Sequence, residues 1–238
     1  MSGPLRQLQA AGGIRKLTIT IAAPQASWSL KSALTALGVD ASRPVDVTIT
    51  VANIITGPMA FEAMPSGSKV RLVNNGKIYG RYNAGDAMSV ATPLVIVNNG
   101  VIAGGGGWGG AGASVTHRGM PAGGTTAAQC TSMTLRGGSG GDGAGMSGTT
   151  YLPATSGGSG AAGATDAGSR PGSGGNGGGM GQSGSSGGGG YNGSSHALCG
   201  ASTGSYVNGN PGVGPGRYVS GNSFVTWEVK GSLLGGVA

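Results

Sequence analysis

The chain has 238 residues, with 14 Lys and Arg against seven Asp and Glu, for a formal net charge of +7. Charged residues make up only 9% of it and form no basic cluster or stripe, so nucleic acid is not an expected partner. No apolar stretch reaches about 18 residues, so no membrane-spanning helix is expected, and residues 1–16 lack the apolar core of a signal peptide.

In chain order, residues 17–22 alternate, with Leu17, Ile19 and Ile21 on one face, and predict a strand. Leu30, Leu34 and Leu37 then fall at helical spacing, with Ser27 or Ser29 to cap the start and Gly38 to stop the end. Residues 45–51 alternate again and point Val45, Val47, Ile49 and Val51 inward. Strands at 69–73 and 94–97 each end on the same phrase, Asn-Asn-Gly-x-Ile-x-Gly, which begins at Asn74 and again at Asn98. Asn and Gly tolerate positive φ, so Asn75-Gly76 and Asn99-Gly100 are read as turns. Near the end, Val225, Trp227 and Val229 alternate before Lys230-Gly231, and this strand is read as returning to the first domain.

Glycine, 55 residues in all, is concentrated between Gly104 and Gly221. A flexible low-complexity tract is one reading. Ordering a glycine costs roughly 0.5–1 kcal/mol more than ordering alanine, and few apolar side chains here can offset that. A second reading supplies its own compensation. Glycine runs can adopt the polyproline II conformation, with three residues per turn and about 3.1 Å rise. Packed side by side, such helices pair their N–H and C=O groups with neighbours, and the pairing becomes the core. Runs at 104–112, 137–145, 157–163, 172–181 and 184–190 alternate with islands at 113–136, 146–156, 164–171, 191–199 and 205–220. The islands hold nearly all of the region's aromatic, Arg, His and Pro residues, which a plain linker would not segregate.

The expected fold is a mostly β N-terminal domain with one short helix, followed by a polyglycine II sandwich with connecting loops and no large hydrophobic core. The expected limits are an arm at 1–16, a β-rich attachment domain at 17–103, a glycine-rich domain at 104–221, and a returning strand at 222–238.

The paired Asn-Asn-Gly phrases, the second running into Gly-Gly-Gly-Gly-Trp-Gly-Gly, and the five alternating islands resemble the glycine-rich receptor-binding adhesins of tailed bacteriophages. The chain is similar in this to the long-tail-fibre tip adhesins of T-even-type phages. That resemblance implies a domain that docks on a tail-fibre or baseplate protein, here through residues 1–103. It implies a polyglycine II sandwich whose loops touch a bacterial receptor: an outer-membrane protein, a pilus or lipopolysaccharide. It implies a place at the distal tip of the tail or fibre after synthesis in the host cytoplasm. One chain on a trimeric fibre and a homotrimer both fit. Loop residues suited to receptor contact are His117, Arg118, Tyr151, Leu152, Arg170, Tyr191, His196, Leu198, Tyr206, Arg217 and Tyr218, since aromatic and Arg side chains are typical anchors.

Glycine-rich sequence also generates false motifs. Residues 107–112 fit G-x-G-x-x-G, but no helix follows and no acidic residue stands about 20 positions on. Residues 137–141 and 184–188 fit G-x-S-x-G without the strand before and helix after that a nucleophile elbow needs. His117, His196, Cys130 and Cys199 are read as loop residues rather than metal ligands, and no cofactor is expected. The two cysteines are read as unpaired thiols, a single bridge formed after release from the cell being the alternative. Trp108 is expected to cap the sandwich or pack against the β domain, and Trp227 to lie in the core. The function read from this is binding, not catalysis. Alternatives are a structural tail-fibre or baseplate component without receptor contact, or a glycine-rich low-complexity protein that binds RNA or forms a matrix.

Overall fold

Alternating β-branched residues make the strands of the N-terminal region, β1 to β10, and these stack in parallel rather than folding back as hairpins. In the computed structural model, residues 14–119, 130–160, 169–193, 199 and 205–237 are described. Most of the expected arm, residues 1–13, lies outside them. Two compact units form. The first draws on residues 1–105, 145–152 and 215–238, the second on 106–144 and 153–214.

The first unit is a three-faced coil. Strands β1 (Arg15–Ile21) and β2 (Trp28–Ser29) lead into helix α1 (Leu30–Ala36). Then follow β3 (Val45–Val51), β4 (Ile55–Thr56), β5 (Met59–Phe61), β6 (Lys69–Asn74), β7 (Lys77–Tyr79), β8 (Met88–Val90), β9 (Leu94–Asn98) and β10 (Val101–Ala103). After β10 come three antiparallel hairpins: β11 (Val115–Gly119) with β12 (Thr131–Leu135), β13 (Gly145–Ser147) with β14 (Thr150–Leu152), and β15 (Gly190–Asn192) with β16 (Ser205–Val207). The chain then closes the coil with β17 (Arg217–Val219), β18 (Val225–Val229), β19 (Ser232–Leu234) and β20 (Gly236–Val237). One face is the parallel sheet β1-β3-β6-β9-β18, the next β4-β7-β10-β19, and the third β2-β5-β8, which β17 joins through a parallel bridge between Ser89 and Ser220 beside it. The circuit from β1 to β2 has no strand on the second face; from β3 onward the circuits visit the three faces in turn.

The repeated Asn-Asn-Gly phrase is the corner between the first two faces, met again one circuit later. Asn74 Nδ2 donates to Asn98 Oδ1 at 2.7 Å across a separation of 24 residues, and Asn98 Nδ2 donates onward to the Lys230 carbonyl at 2.6 Å. A second, exposed rung of the ladder joins Asn99 Nδ2 to Asn75 Oδ1 at 2.8 Å. Asn74 and Asn98 are fully buried, and each side-chain oxygen also accepts from the backbone N–H of its own corner glycine. These residues turn the chain as expected, but not through positive φ, which neither corner glycine adopts. Glycine is required because the corners stack backbone on backbone. A Cβ on Gly100 would lie 1.9 Å from the Gly76 carbonyl oxygen, and one on Gly76 would lie 2.3 Å from those of Ala52 and Ile54.

The coil's interior is one apolar cluster that includes Val45, Val47, Ile49, Val51, Phe61, Leu72, Ile78, Leu94, Ile96 and Ile102. This corrects the expectation of no large hydrophobic core. Helix α1 adds Leu30 and Leu34 to it, both at 0% exposure, with Ser29 Oγ capping the N–H of Ser32 and Gly38 ending the helix at φ +65°. Trp227 is only half-buried. It packs against the cluster beside Tyr218, with Nε1 donating to Asn222 Oδ1.

The second unit has a different cohesion. Among its described residues the buried apolar side chains are Ala113, Val115, Ala144 and Cys199. What holds it is backbone pairing at a step of three residues. The N–H groups of Gly106, Gly109 and Gly112 donate to the carbonyls of Ala144, Gly141 and Gly138. Those of Gly107, Gly110 and Ala113 donate to Gln182, Ser185 and Gly188. Gly138, Gly141 and Ala144 donate in turn to Gly172, Gly175 and Gly178, whose own N–H groups return to Ala113, Gly110 and Gly107. Residues 155–158 and 210–213 join the same lattice, the latter from within a stretch expected to be an island. Burial follows the same period: Trp108, Ala111 and Ser114 are exposed, with two buried residues between each. Trp108 therefore stands outward at 47% exposure, against the expectation that it packs.

Three outcomes follow from these contacts. Asn98→Ala should lower stability by about 1–3 kcal/mol in urea unfolding, because it takes one acceptor from the buried Asn74 amide and removes the donor to the Lys230 carbonyl. Gly109→Ala, whose Cβ would meet the Gly175 carbonyl oxygen at 1.9 Å, should cost at least about 3 kcal/mol. Ala111→Ser on the exposed position, and Gly214→Ala where nothing lies within 4 Å, should stay within about 0.5 kcal/mol.

Candidate receptor-binding tip

The register of the glycine lattice decides which loops share an end. Gly112 pairs with Gly138, Ala113 with Gly188, and Gly172 with Ala113. Residues 113, 138, 172 and 188 therefore lie together, and three connections leave from there: the β11/β12 hairpin, the segment ending at Pro171, and the β15/β16 hairpin.

These connections are tied to one another. Arg170 and Tyr191 exchange backbone hydrogen bonds at 2.8 and 2.7 Å. Thr116 N donates to Asn192 Oδ1 at 2.9 Å, and Asn192 Nδ2 donates to Ser205 Oγ at 3.2 Å. Ser169, 1% exposed, accepts from Gly193 N at 2.8 Å. Cys130 and Cys199 form a disulfide across 69 residues, which corrects the reading of two unpaired thiols. Two cysteines so far apart in sequence gave no sign of meeting. The lattice register brings their loops to one end.

The tip thus brings together three of the expected contact residues with their side chains. Tyr191 and Tyr206 stack with ring centroids 4.9 Å apart, and Tyr206 is 86% exposed. Arg170 is exposed beside them in sequence pairing with Tyr191. His117 and Arg118 lie on β11 opposite Met133 and Ser132. His196 and Leu198 lie outside the described residues.

The other four candidates belong to the first unit. Tyr151 and Leu152 are on β14, with the Tyr151 ring 5.6 Å from that of Tyr79, whose hydroxyl pKa is pushed up by burial. Arg217 and Tyr218 are on β17, where Arg217 N donates to Asp86 Oδ1 at 2.7 Å. Sequence reading missed Asn192 and Ser169, whose roles depend on partners 76 and 24 residues away.

A family model described as phage tail fibre adhesin Gp38 matches residues 16–238. The chain belongs to this family. It is a bacteriophage tail fibre adhesin, and its work is host attachment. No curated protein matches it. Among solved structures it is similar to the crystal structure of the gp37-gp38 adhesin tip complex of the bacteriophage S16 long tail fiber. The two are 19% identical, with a TM-score of 0.45 and coverage of 94% of this chain and 82% of that one.

The Asn192 side chain bridges β11 and β16 through Thr116 and Ser205. Asn192→Ala should speed hydrogen exchange at the Thr116 amide while leaving the amides of Gly109 and Gly141 unchanged.

Proposed function

We propose that this adhesin contacts the host surface through the tip formed by the β11/β12 hairpin, residues 169–171 and the β15/β16 hairpin. The observation that carries the reading is the convergence of three sequence-distant segments at one end of a backbone-bonded lattice, with Tyr206 presented almost fully to solvent beside Tyr191 and Arg170. Exposed Tyr and Arg side chains are the residue types that dominate interface energetics. A lattice that fixes the loop ends reduces the ordering cost of binding.

The lattice itself is best read as a sandwich of polyglycine II helices. The three-residue step of its hydrogen bonds and of its burial supports this, since that conformation turns once every three residues. The first unit, with residues up to 103, docks on a tail-fibre or baseplate protein at the distal end of the virion tail. One copy per fibre tip and a trimer both accommodate that role. The chain is made in the host cytoplasm. The receptor is an outer-membrane protein, a pilus or lipopolysaccharide, and binding to isolated fractions of susceptible cells separates these.

Tyr206→Ala should weaken adsorption to susceptible cells about tenfold, roughly 1.4 kcal/mol, while the lost stack on Tyr191 lowers stability by no more than about 1.5 kcal/mol. Replacing residues 190–207 with the equivalent stretch from an adhesin of different host range should move adsorption to the new host. Unchanged adsorption in both experiments would favour the rival reading, a structural fibre component without receptor contact.

A further inference from the structure

The tip is tied at its base by hydrogen bonds and further along by one covalent bond. Thr116–Asn192 and Arg170–Tyr191 hold the bases of the hairpins. Cys130 immediately precedes β12, and Cys199 lies between β15 and β16. Their bond joins two hairpins that arise from different parts of the lattice. The lattice bonds of residues 106–113, 138–144 and 172–178 include neither cysteine. The disulfide is thus a link between the two hairpins in addition to the lattice bonds.

We propose that the Cys130–Cys199 disulfide is a redox lock on the tip. The loops are reduced and loose while the protein is made, and become fixed when the bond forms outside the cell. Reducing cytosol keeps thiols free, and disulfides persist outside it. The oxidant is a low-molecular-weight disulfide. The thiolate of one cysteine attacks it and releases one small thiol. The second cysteine thiolate then displaces the other and closes the protein bond. Two protein thiols become one disulfide, and one small disulfide becomes two thiols. The timing rests on the adhesin reading, but the lock does not.

The test uses the full chain in two ways. Alkylation at the moment of lysis should trap two free thiols per chain, falling to none after incubation with oxidised glutathione. A bond already closed inside the reducing cytosol would overturn the proposal. Native-state hydrogen exchange is then compared between the oxidised protein and the same folded protein reduced in place by a phosphine. Amides at 131–135, 190–193 and 205–207 should exchange at least tenfold faster on reduction, with Gly109, Gly141 and Gly175 unchanged. Reduction of folded protein avoids relying on the Cys130→Ser, Cys199→Ser double variant, which serves as a second sample if it folds. Unchanged exchange at the tip would make the bond only a staple on the unfolded chain. Loss of protection throughout 106–178 would make it part of the platform. Either result overturns the lock. Neither measurement needs a receptor, so failure here leaves the adhesin reading standing, and failure of that reading shows separately in the adsorption assays.

Discussion

Backbone lying against backbone, at distances that leave no room for a Cβ, is the constraint on which both units rest. In the coil it acts at the corners, where Gly100 stacks on Gly76. In the second unit it acts along whole segments, where Gly107 meets the carbonyl of Val213 and Gly110 that of Asn210. Such approach is tolerable only if the polar groups brought together are paired, because an unpaired buried N–H or C=O costs about as much as a lost hydrogen bond. The lattice meets this by giving each segment several hydrogen-bonded neighbours. The coil meets it with parallel sheets on three faces and with asparagine side chains at a corner.

The two units are each held together by different means. Along residues 106–114, two positions of every three are buried against neighbours and the third, Trp108, Ala111 or Ser114, faces solvent, so the Trp108 side chain can change without touching the backbone bonds. The apolar core lies in the other unit, in the coil.

Much of this was legible in the residues. Period-two alternation at 45–51 gave β3 and its inward face, and the spacing of Leu30 and Leu34 with Ser29 before them gave α1. The doubled Asn-Asn-Gly phrase signalled a repeated turn. What it did not reveal was that 24 residues is one circuit of a parallel coil, because a stacked corner and a hairpin turn favour the same residues for different reasons. In the glycine region the period of three was present in the sequence, as Gly-Gly-Trp-Gly-Gly-Ala from Gly106 and Gly-Gly-Ser-Gly-Gly-Asp from Gly137. Reading runs and islands by composition passed over it, and so placed 210–213 among the loops. The cysteine pairing and the contact of Thr116 with Asn192 were not legible, since both depend on which segments are lattice neighbours.

The measurement that bears most directly on this account is residue-resolved hydrogen exchange across 106–113. The N–H groups of Gly106, Gly107, Gly109, Gly110, Gly112 and Ala113 donate into the lattice, whereas Trp108 and Ala111 contribute carbonyls that accept from Val213 and Asn210. The account predicts two slow amides followed by one fast, with Trp108 and Ala111 the fast ones. Uniformly fast exchange, or an alternation of period two as in a strand, would contradict it.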